Sequence, residues 1–543
     1  MIQNPILRWF DDTFLDLGRQ FRWSYLPPLM VYLAAGIQGL TAIVGTFFIK
    51  EYLDLSAAFL AGLAFWAGIP WTLKMPIGHL VDLIWRRKAL LVYLGAGLIA
   101  GSILIMYGVI AHTAAMAAVL PAEVWFVIAT ILAPTGYVLQ DVVADAMTVE
   151  AVPTIDEHGN PYPQADIKIM HTTMQTLGRV AIIGGLVAVA MLNVTMFDGV
   201  ENMSEETKIE VYANIYLLAL VIPIVSVMGV ILGGILLRRR ARQMEALGHD
   251  HSSIDKLLFA PESETHANWW ILGGSLVFAA FTVGMGVSDI PFSQEIIFVG
   301  SMSIILFLMY RLLLELDAGA RNMLIGTAII IFVFRAVPLP GPGATWFEID
   351  QLGFDQQFIS VLSLIGAGLT LFGMFVLRPM MAKHSIAFVI VMLTIAGAVL
   401  SLPNIGLYYG IHEWTAAHTG GVVDARFIAV VDTALESPLG QIAMIPMLAW
   451  IAQNAPPHLK ATFFAVMASF TNLALSASSL GTRYMNEIYT VTREVRDRVT
   501  NAIESTADYS ELGILLITVT LVGFSAPLLT VVLIQRSRLR TSQ

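Results

Sequence analysis

Asp141 and Asp145 stand four residues apart, and Asp432 and Glu436 repeat that spacing. On a helix it places two carboxylates on one face, one turn apart. Both pairs lie inside long apolar runs. There an ionised side chain costs roughly 2.5–3.5 kcal/mol on insertion scales and faces a bundle interior or a wet cavity. Two acids sharing one face repel, so one of them holds its proton more tightly. Each pair is therefore a candidate proton-binding group. A structural reading stands beside it: each acid is permanently neutralised by Lys74, Arg179 or Arg335, which also fall within apolar runs. Arg335 offers a planar fork that fits a carboxylate bidentately. It serves an anionic ligand, pairs internally with Asp432 or Glu436, or does each in turn. Arg179, in Leu177-Gly178-Arg179, is expected to pair with Asp145. Gln38, Lys74 and Gln441 complete the intramembrane polar set, while Arg311 and Arg483, near the ends of their runs, are expected to snorkel.

The elements that must hold these residues are apolar helices. Residues of the AVILMFWYC set make up 57% of the 543 and charged residues 13%, with a mean hydropathy of +0.74. Soluble proteins carry about 45–50% apolar and about 25% charged residues. The excess comes in blocks of about 20 residues, the length that crosses about 30 Å of hydrocarbon. We read fourteen spans, near 26–49, 57–77, 89–111, 124–150, 169–193, 211–237, 269–287, 295–314, 322–337, 358–377, 385–402, 427–452, 461–482 and 511–535. The fold class is all-α membrane; the alternation of a barrel strand is absent. With no Cys there is no disulfide, thiolate metal site or cysteine nucleophile. His249-Asp250-His251 reads as a solvated loop, so no metal is expected. Phosphate-binding, His-Glu-x-x-His and Gly-x-Ser-x-Gly motifs are missing, so neither an enzyme nor a cofactor is expected. The net charge of −10 speaks against nucleic acid.

Lys and Arg set the topology. Nineteen of the 30 fall on one side, against six (Lys50, Lys208, Arg426, Arg493, Arg496, Arg498) on the other. The positive-inside rule makes the first side cytoplasmic and puts both termini there, in an inner membrane. Residues 1–25 carry Ile6, Trp9, Phe10, Phe14, Leu17 and Phe21 at helical spacing, as an amphipathic surface segment does. Six-helix bundles then occupy 26–237 and 322–535, joined by a polar linker at 238–268 and an inserted hairpin at 269–314, with a tail at 536–543. The outer stretch 484–510 is expected to be a small helical excursion, and Gly233-Gly234 and Gly273-Gly274 to permit close helix packing. A repeat links the bundles: Leu53-Asp54-Leu55-Ser56-Ala57-Ala58-Phe59 is matched by Leu352-Gly353-Phe354-Asp355-Gln356-Gln357-Phe358. Ser56 and Asp355 are the expected helix N-caps.

Duplicated six-helix halves are the architecture of major facilitator transporters. Gly78-His79-Leu80-Val81-Asp82, followed by Arg86-Arg87-Lys88, resembles their signature loop. That resemblance implies a gating role for Gly78, Asp82, Arg86 and Arg87; the plainer reading is a positive anchor. The upstream Pro70-Trp71-Thr72-Leu73-Lys74-Met75-Pro76 is similar to a stretch of folate–biopterin transporters, shifted by one residue at Met75. So are Phe334-Arg335-Ala336-Val337-Pro338 and the run from Val431 to Gln441. What this implies is a carrier with a central cavity lined by both acid pairs, moving a folate- or pterin-like organic anion with protons across the bilayer. It is expected to act as a monomer, and to be a symporter, since the antiporter proline is missing from span 169–193. Two rivals remain. Gln140-Asp141-Val142-Val143-Ala144-Asp145-Ala146 and the inserted pair are comparable to muropeptide permeases. Some relatives of this fold assemble pigment–protein complexes instead of moving solutes.

Overall fold

The computed structural model describes residues 16–53, 55–72, 74–153, 162–259, 290–314, 316–376, 385–439, 460–496 and 503–541, with isolated positions between 273 and 285. The first span is two helices, α1 (Leu26–Gly36) and α2 (Ala42–Tyr52), joined by a 3₁₀ turn over Ile37–Thr41. Pro27 and Pro28 open α1, where their missing N–H groups cost nothing. There follow α3 (Ala57–Thr72), α4 (Lys74–Leu83), α5 (Ala89–Ala111), α6 (Ala122–Ala151), α7 (Gln164–Met196), α8 (Glu205–Ala219) and α9 (Val221–Ala246). The inserted α10 (Ser293–Leu313) leads to α11 (Ala318–Arg335), α12 (Pro342–Asp350), α13 (Gln356–Val376), α14 (Ile386–Tyr408), α15 (Ile411–His418), α16 (Ala425–Glu436), α17 (Lys460–Ile488) and α18 (Leu512–Gln535). Among the described residues nine helical stretches are long and apolar enough to cross a membrane, and Ala57–Thr72 and Ser293–Phe307 are shorter apolar helices.

The repeated caps form as their sequences dictate. Phe59 N donates to Ser56 Oγ at 3.0 Å, and Phe358 N to Asp355 Oδ1 at 2.7 Å, satisfying one orphan donor at each helix start. Helices α1–α9 form a first group around a core that includes Val44, Phe48, Ile99, Tyr212 and Ile215. Helices α11, α14, α17 and α18 form a second group around Leu324, Ile330, Ile390 and Leu473. The groups meet along two seams, α3 against α17 and α7 against α13. Close packing is bought by glycine. A Cβ on Gly36 would sit 2.2 Å from Ile182 O, and one on Gly95 would sit 2.6 Å from Gly136 O. Gly233 of the expected first pair approaches α1, where an added Cβ would lie 3.3 Å from Pro27 Cβ, while Gly234 has nothing within 4 Å among the described residues; Gly274 of the second pair lies outside them.

Two ends of the molecule are distinguishable. At the linker face, Tyr25 packs with Ala151 and Met170, Arg86 pairs with Asp255 beyond α9, and Leu539 folds back onto Gly326 of α11. The opposite face carries a feature the sequence reading misjudged. The stretch after α17 is a β-hairpin, not a helix: β1 (Val495–Arg496) pairs antiparallel with β2 (Ile503–Ser505), and Thr492 bridges Asp508. Its cause is visible in Thr490-Val491-Thr492-Arg493-Glu494-Val495, where Val491, Arg493 and Val495 are buried and Thr492 and Glu494 less so, the period of two that a strand requires. We call this end the hairpin face. Here the inserted α10 docks onto both groups: Gln294 Nε2 donates to Gly62 O (3.2 Å) in α3, and Gln294 Oε1 accepts from Arg483 Nη1 (3.1 Å) in α17. Arg483 also bonds Glu487 at 2.8 Å, and Tyr484 donates to Glu295. Arg483 is thus tied into a polar network instead of snorkelling.

Candidate functional site

The helix α3 ends at Thr72 and α4 begins at Lys74, so the lysine lies where the chain restarts its helix, with Pro76 two residues on. From there Lys74 Nζ reaches Asp141 Oδ2 at 2.6 Å and Asp145 Oδ2 at 2.9 Å, both on α6. Asp145 Oδ1 accepts a third bond, 2.6 Å, from the hydroxyl of Tyr32 in α1. The tyrosine is fixed in turn by α7, where a Cβ on Gly178 would lie 2.9 Å from its ring. Side-chain exposure grades across the triad: 16% for Asp141, 24% for Lys74 and 49% for Asp145. One ammonium therefore serves two carboxylates, the inner enclosed and the outer half open. Tyr32 was not foreseen, since one tyrosine in an apolar helix carries no distinguishing pattern.

The expected pair between Arg179 and Asp145 is not formed; Lys74 and Tyr32 occupy that carboxylate. Arg179 is exposed on α7, and its charge acts attractively on Asp141 from a greater distance. Gln38 is exposed on the 3₁₀ turn that interrupts the first span. Short 3₁₀ stretches of this kind often mark hinges. The companion Gln140 is spent structurally: it is 3% exposed and donates to Ser226 Oγ (2.9 Å) and Val92 O (3.3 Å).

The second acid pair lies on α16, whose start is capped by Asp424 accepting from Phe427 N at 2.8 Å. Asp432 is buried, accepts from Asn404 Nδ2 of α14 at 3.0 Å, and has no hydrogen-bond partner for Oδ1 among the described residues. Glu436, one turn on, is exposed and repels it. A third acid joins them that the sequence did not single out. Glu348, on α12 outside the spans, has its carboxyl pushed up to about 7, by burial first and by the Asp432 charge second. Its signal was hidden because α12 lies in a connection between two spans. Arg335, partly buried at the end of α11, makes no ion pair with Asp432 or Glu436, so the internal pair held open for it is not formed here. Gln441 lies outside the described residues.

At the signature loop, Gly78 sits close to Val142 of α6, and Arg86 pairs with Asp255. Arg87 is exposed, and the Asp82 side chain lies outside the described residues. Lys88 bonds Glu150 and lies 3.9 Å from the Trp85 ring centroid. Burial pulls its ammonium below the usual lysine range, against the opposing pull of Glu150. No group of three or more metal-ligating side chains occurs among the described residues.

The sequence model of the BT1 family matches residues 35–542. A folate-biopterin transporter of Synechocystis sp. (strain PCC 6803) is 21% identical over 481 residues, covering 87% of this chain and 76% of that protein. Among solved structures, a POT family transporter in complex with 5-aminolevulinic acid superposes with a TM-score of 0.59 at 11% identity, covering 97% of this chain and 96% of that one. The nucleoside transporter NupG gives 0.51 at 12% identity, covering 95% of this chain and 98% of that one. These likenesses show the fold, which is that of the major facilitator transporters.

Proposed function

The chain belongs to the BT1 family of multi-pass membrane transporters, and from that premise we propose that it is a secondary active carrier moving a small folate- or pterin-like organic anion by proton-coupled alternating access. The observation that carries the reading is Lys74 held at 2.6 and 2.9 Å between two carboxylates. Two acids on one base leave room for one proton or one anion. Protonation of the half-open Asp145 removes an acceptor and releases Lys74 toward a substrate carboxylate, with Arg179 adding attraction. Deprotonation returns Lys74 to its acids and expels the anion. Proton and anion then travel together, as in a symporter. Asp432, Glu436 and Glu348 supply a second protonatable cluster, and Arg335 a second carboxylate-binding base. In this reading six-helix halves at 26–237 and 322–535 rock about the site, and fourteen helices cross an inner membrane. The linker face is cytoplasmic, Gly78, Asp82, Arg86 and Arg87 gate it, and the protein is a monomer.

A ligand that binds only the folded state stabilises it by about 2.7 kcal/mol at a hundredfold excess over its dissociation constant. Thermal shifts of the purified protein with folates, pterins, simple dicarboxylates and muropeptides therefore test the substrate class. Folate or pterin anions are expected to raise the midpoint, and Lys74→Met to abolish the rise. A shift with muropeptides alone would transfer the chain to the permease reading. A co-purifying pigment, with no shift from any solute, would favour an assembly role.

A further inference from the structure

Arg493, at the start of the hairpin, is 3% exposed, yet its guanidinium is not directed into its own group of helices. It reaches across to the C-terminal end of α2. Nε donates to Lys50 O at 2.9 Å and Nη2 to Ile49 O at 3.0 Å. Nη1 donates to Leu55 O, and Nη2 also to Leu53 O. The last carbonyls of a helix lack intrahelical partners and carry about half a negative charge between them. A planar fork with five donors matches such a cluster better than any other side chain. The far side of the guanidinium is covered by Trp346 of α12, 4.3 Å from carbon to ring centroid, and Trp346 is itself 2% exposed. The contact thus closes α2, the hairpin and α12 on one another.

Neighbouring contacts repeat the crossing. Lys50 pairs with Asp350 of α12, which also accepts from Tyr509 beyond the hairpin. Gln356 Nε2 of α13 donates to Tyr212 of α8 at 2.8 Å, and Gln357 Nε2 to Asp198 at 3.0 Å. The Lys50, Gln356 and Gln357 contacts join the first group of helices to the second, and all lie at the hairpin face. A cleft of about 380 Å³ beside Arg493, lined in part by Ser56, Phe59 and Thr492, leaves space for water to take over its bonds when the face parts.

We propose that Arg493 is a gating residue of the transport cycle, latching the hairpin and the second helix group onto the end of α2 and releasing each time the hairpin face opens. The proposal rests on the carrier reading, because only an alternating protein needs to part these surfaces. Lysine at this position keeps the charge but loses the fork. The ratio of open to closed hairpin face should then rise about tenfold, equivalent to 1.4 kcal/mol, the scale of a single charged hydrogen bond. Since the chain has no native Cys, spin labels placed by Met203→Cys and Val422→Cys, both exposed on the hairpin face, report this ratio directly. The distances are measured by pulsed electron resonance in lipid nanodiscs at several pH values. The wild type is expected to show a dominant short and a minor long distance, and Arg493→Lys to enlarge the long population. Asp350→Asn, which leaves Arg493 in place and breaks the adjoining pair, should act in the same direction and decides the matter should the arginine variant fail to fold. Two populations that neither variant redistributes would overturn the latch while leaving the carrier intact. A single distance in every protein at every pH would overturn both.

Discussion

Lys74→Met is the most revealing single change, because it removes the one base from two carboxylates. Breaking a buried ion pair from one side costs about 3–5 kcal/mol, whereas exposed pairs contribute about 0–1. The Lys74 and Asp141 side chains are 24% and 16% exposed, and Asp145 is 49% exposed. The inner contact therefore belongs near the lower end of the buried range and the outer near the exposed one. Lys74→Met should cost about 3 kcal/mol, nearly all through Asp141. Asp141→Asn should cost about 1–2 kcal/mol, since Lys74 keeps Asp145. The double variant has lost the stranded inner charge and should be close to Asp141→Asn, giving a coupling of roughly 3 kcal/mol where independent sites add within about 0.5. The cycle is measured by reversible denaturant unfolding in mixed micelles, followed by tryptophan fluorescence, with thermal midpoints as a check. Additive losses, or a Lys74→Met protein as stable as the wild type, would refute the assignment of this triad as a coupled enclosed unit.

Other outcomes follow from the same geometry. Because the folded-state carboxyl of Glu348 lies at about 7, above the ordinary value near 4.3, its neutral form favours the folded protein. That contribution is complete below about pH 4 and is lost as pH rises through 7. Glu348→Gln should therefore flatten the fall in stability over that range and be the more stable protein at pH 8, by at most about 4 kcal/mol; pH-dependent unfolding checks it. Gly185→Ala should destabilise by about 1–3 kcal/mol, because its Cβ would lie 2.8 Å from Gly36 Cα, whereas Gly184→Ala meets nothing within 4 Å and should be silent in a thermal scan. Ser56→Ala and Asp355→Ala should each cost about 1 kcal/mol by loss of an N-cap, seen as lowered unfolding midpoints. Asp432→Asn should leave substrate exchange across a vesicle membrane running while uptake driven by a pH gradient stops.

The elements were legible where burial in lipid imposes one rule on every residue. Spans read near 89–111 and 511–535 appear as Ala89–Ala111 and Leu512–Gln535. Ser56 and Asp355 could be read as caps because capping is local chemistry. The meeting of Lys74 with Asp141 and Asp145 was visible only as a set of charges that must find partners. Which base takes which acid depends on helix rotation, and there Arg179 was misassigned. Glu348 and Arg493 escaped because polar residues in connections have no need of a partner, so their types carry no warning. For Arg493 a signal did exist, the alternation of Val491, Arg493 and Val495, but net charge in that stretch masked it. The glycines that bring helices together, Gly36 with Gly185 and Gly95 with Gly136, are single residues on different helices, and no pattern along one helix reveals them.

Uptake of labelled folate and of a panel of organic anions into proteoliposomes, with and without an imposed pH gradient, tests the central claim most directly. The account predicts saturable accumulation of a folate- or pterin-like anion that rises with an inwardly directed proton gradient and disappears in Lys74→Met and Asp432→Asn. Accumulation indifferent to the gradient, and unchanged in both variants, would contradict it.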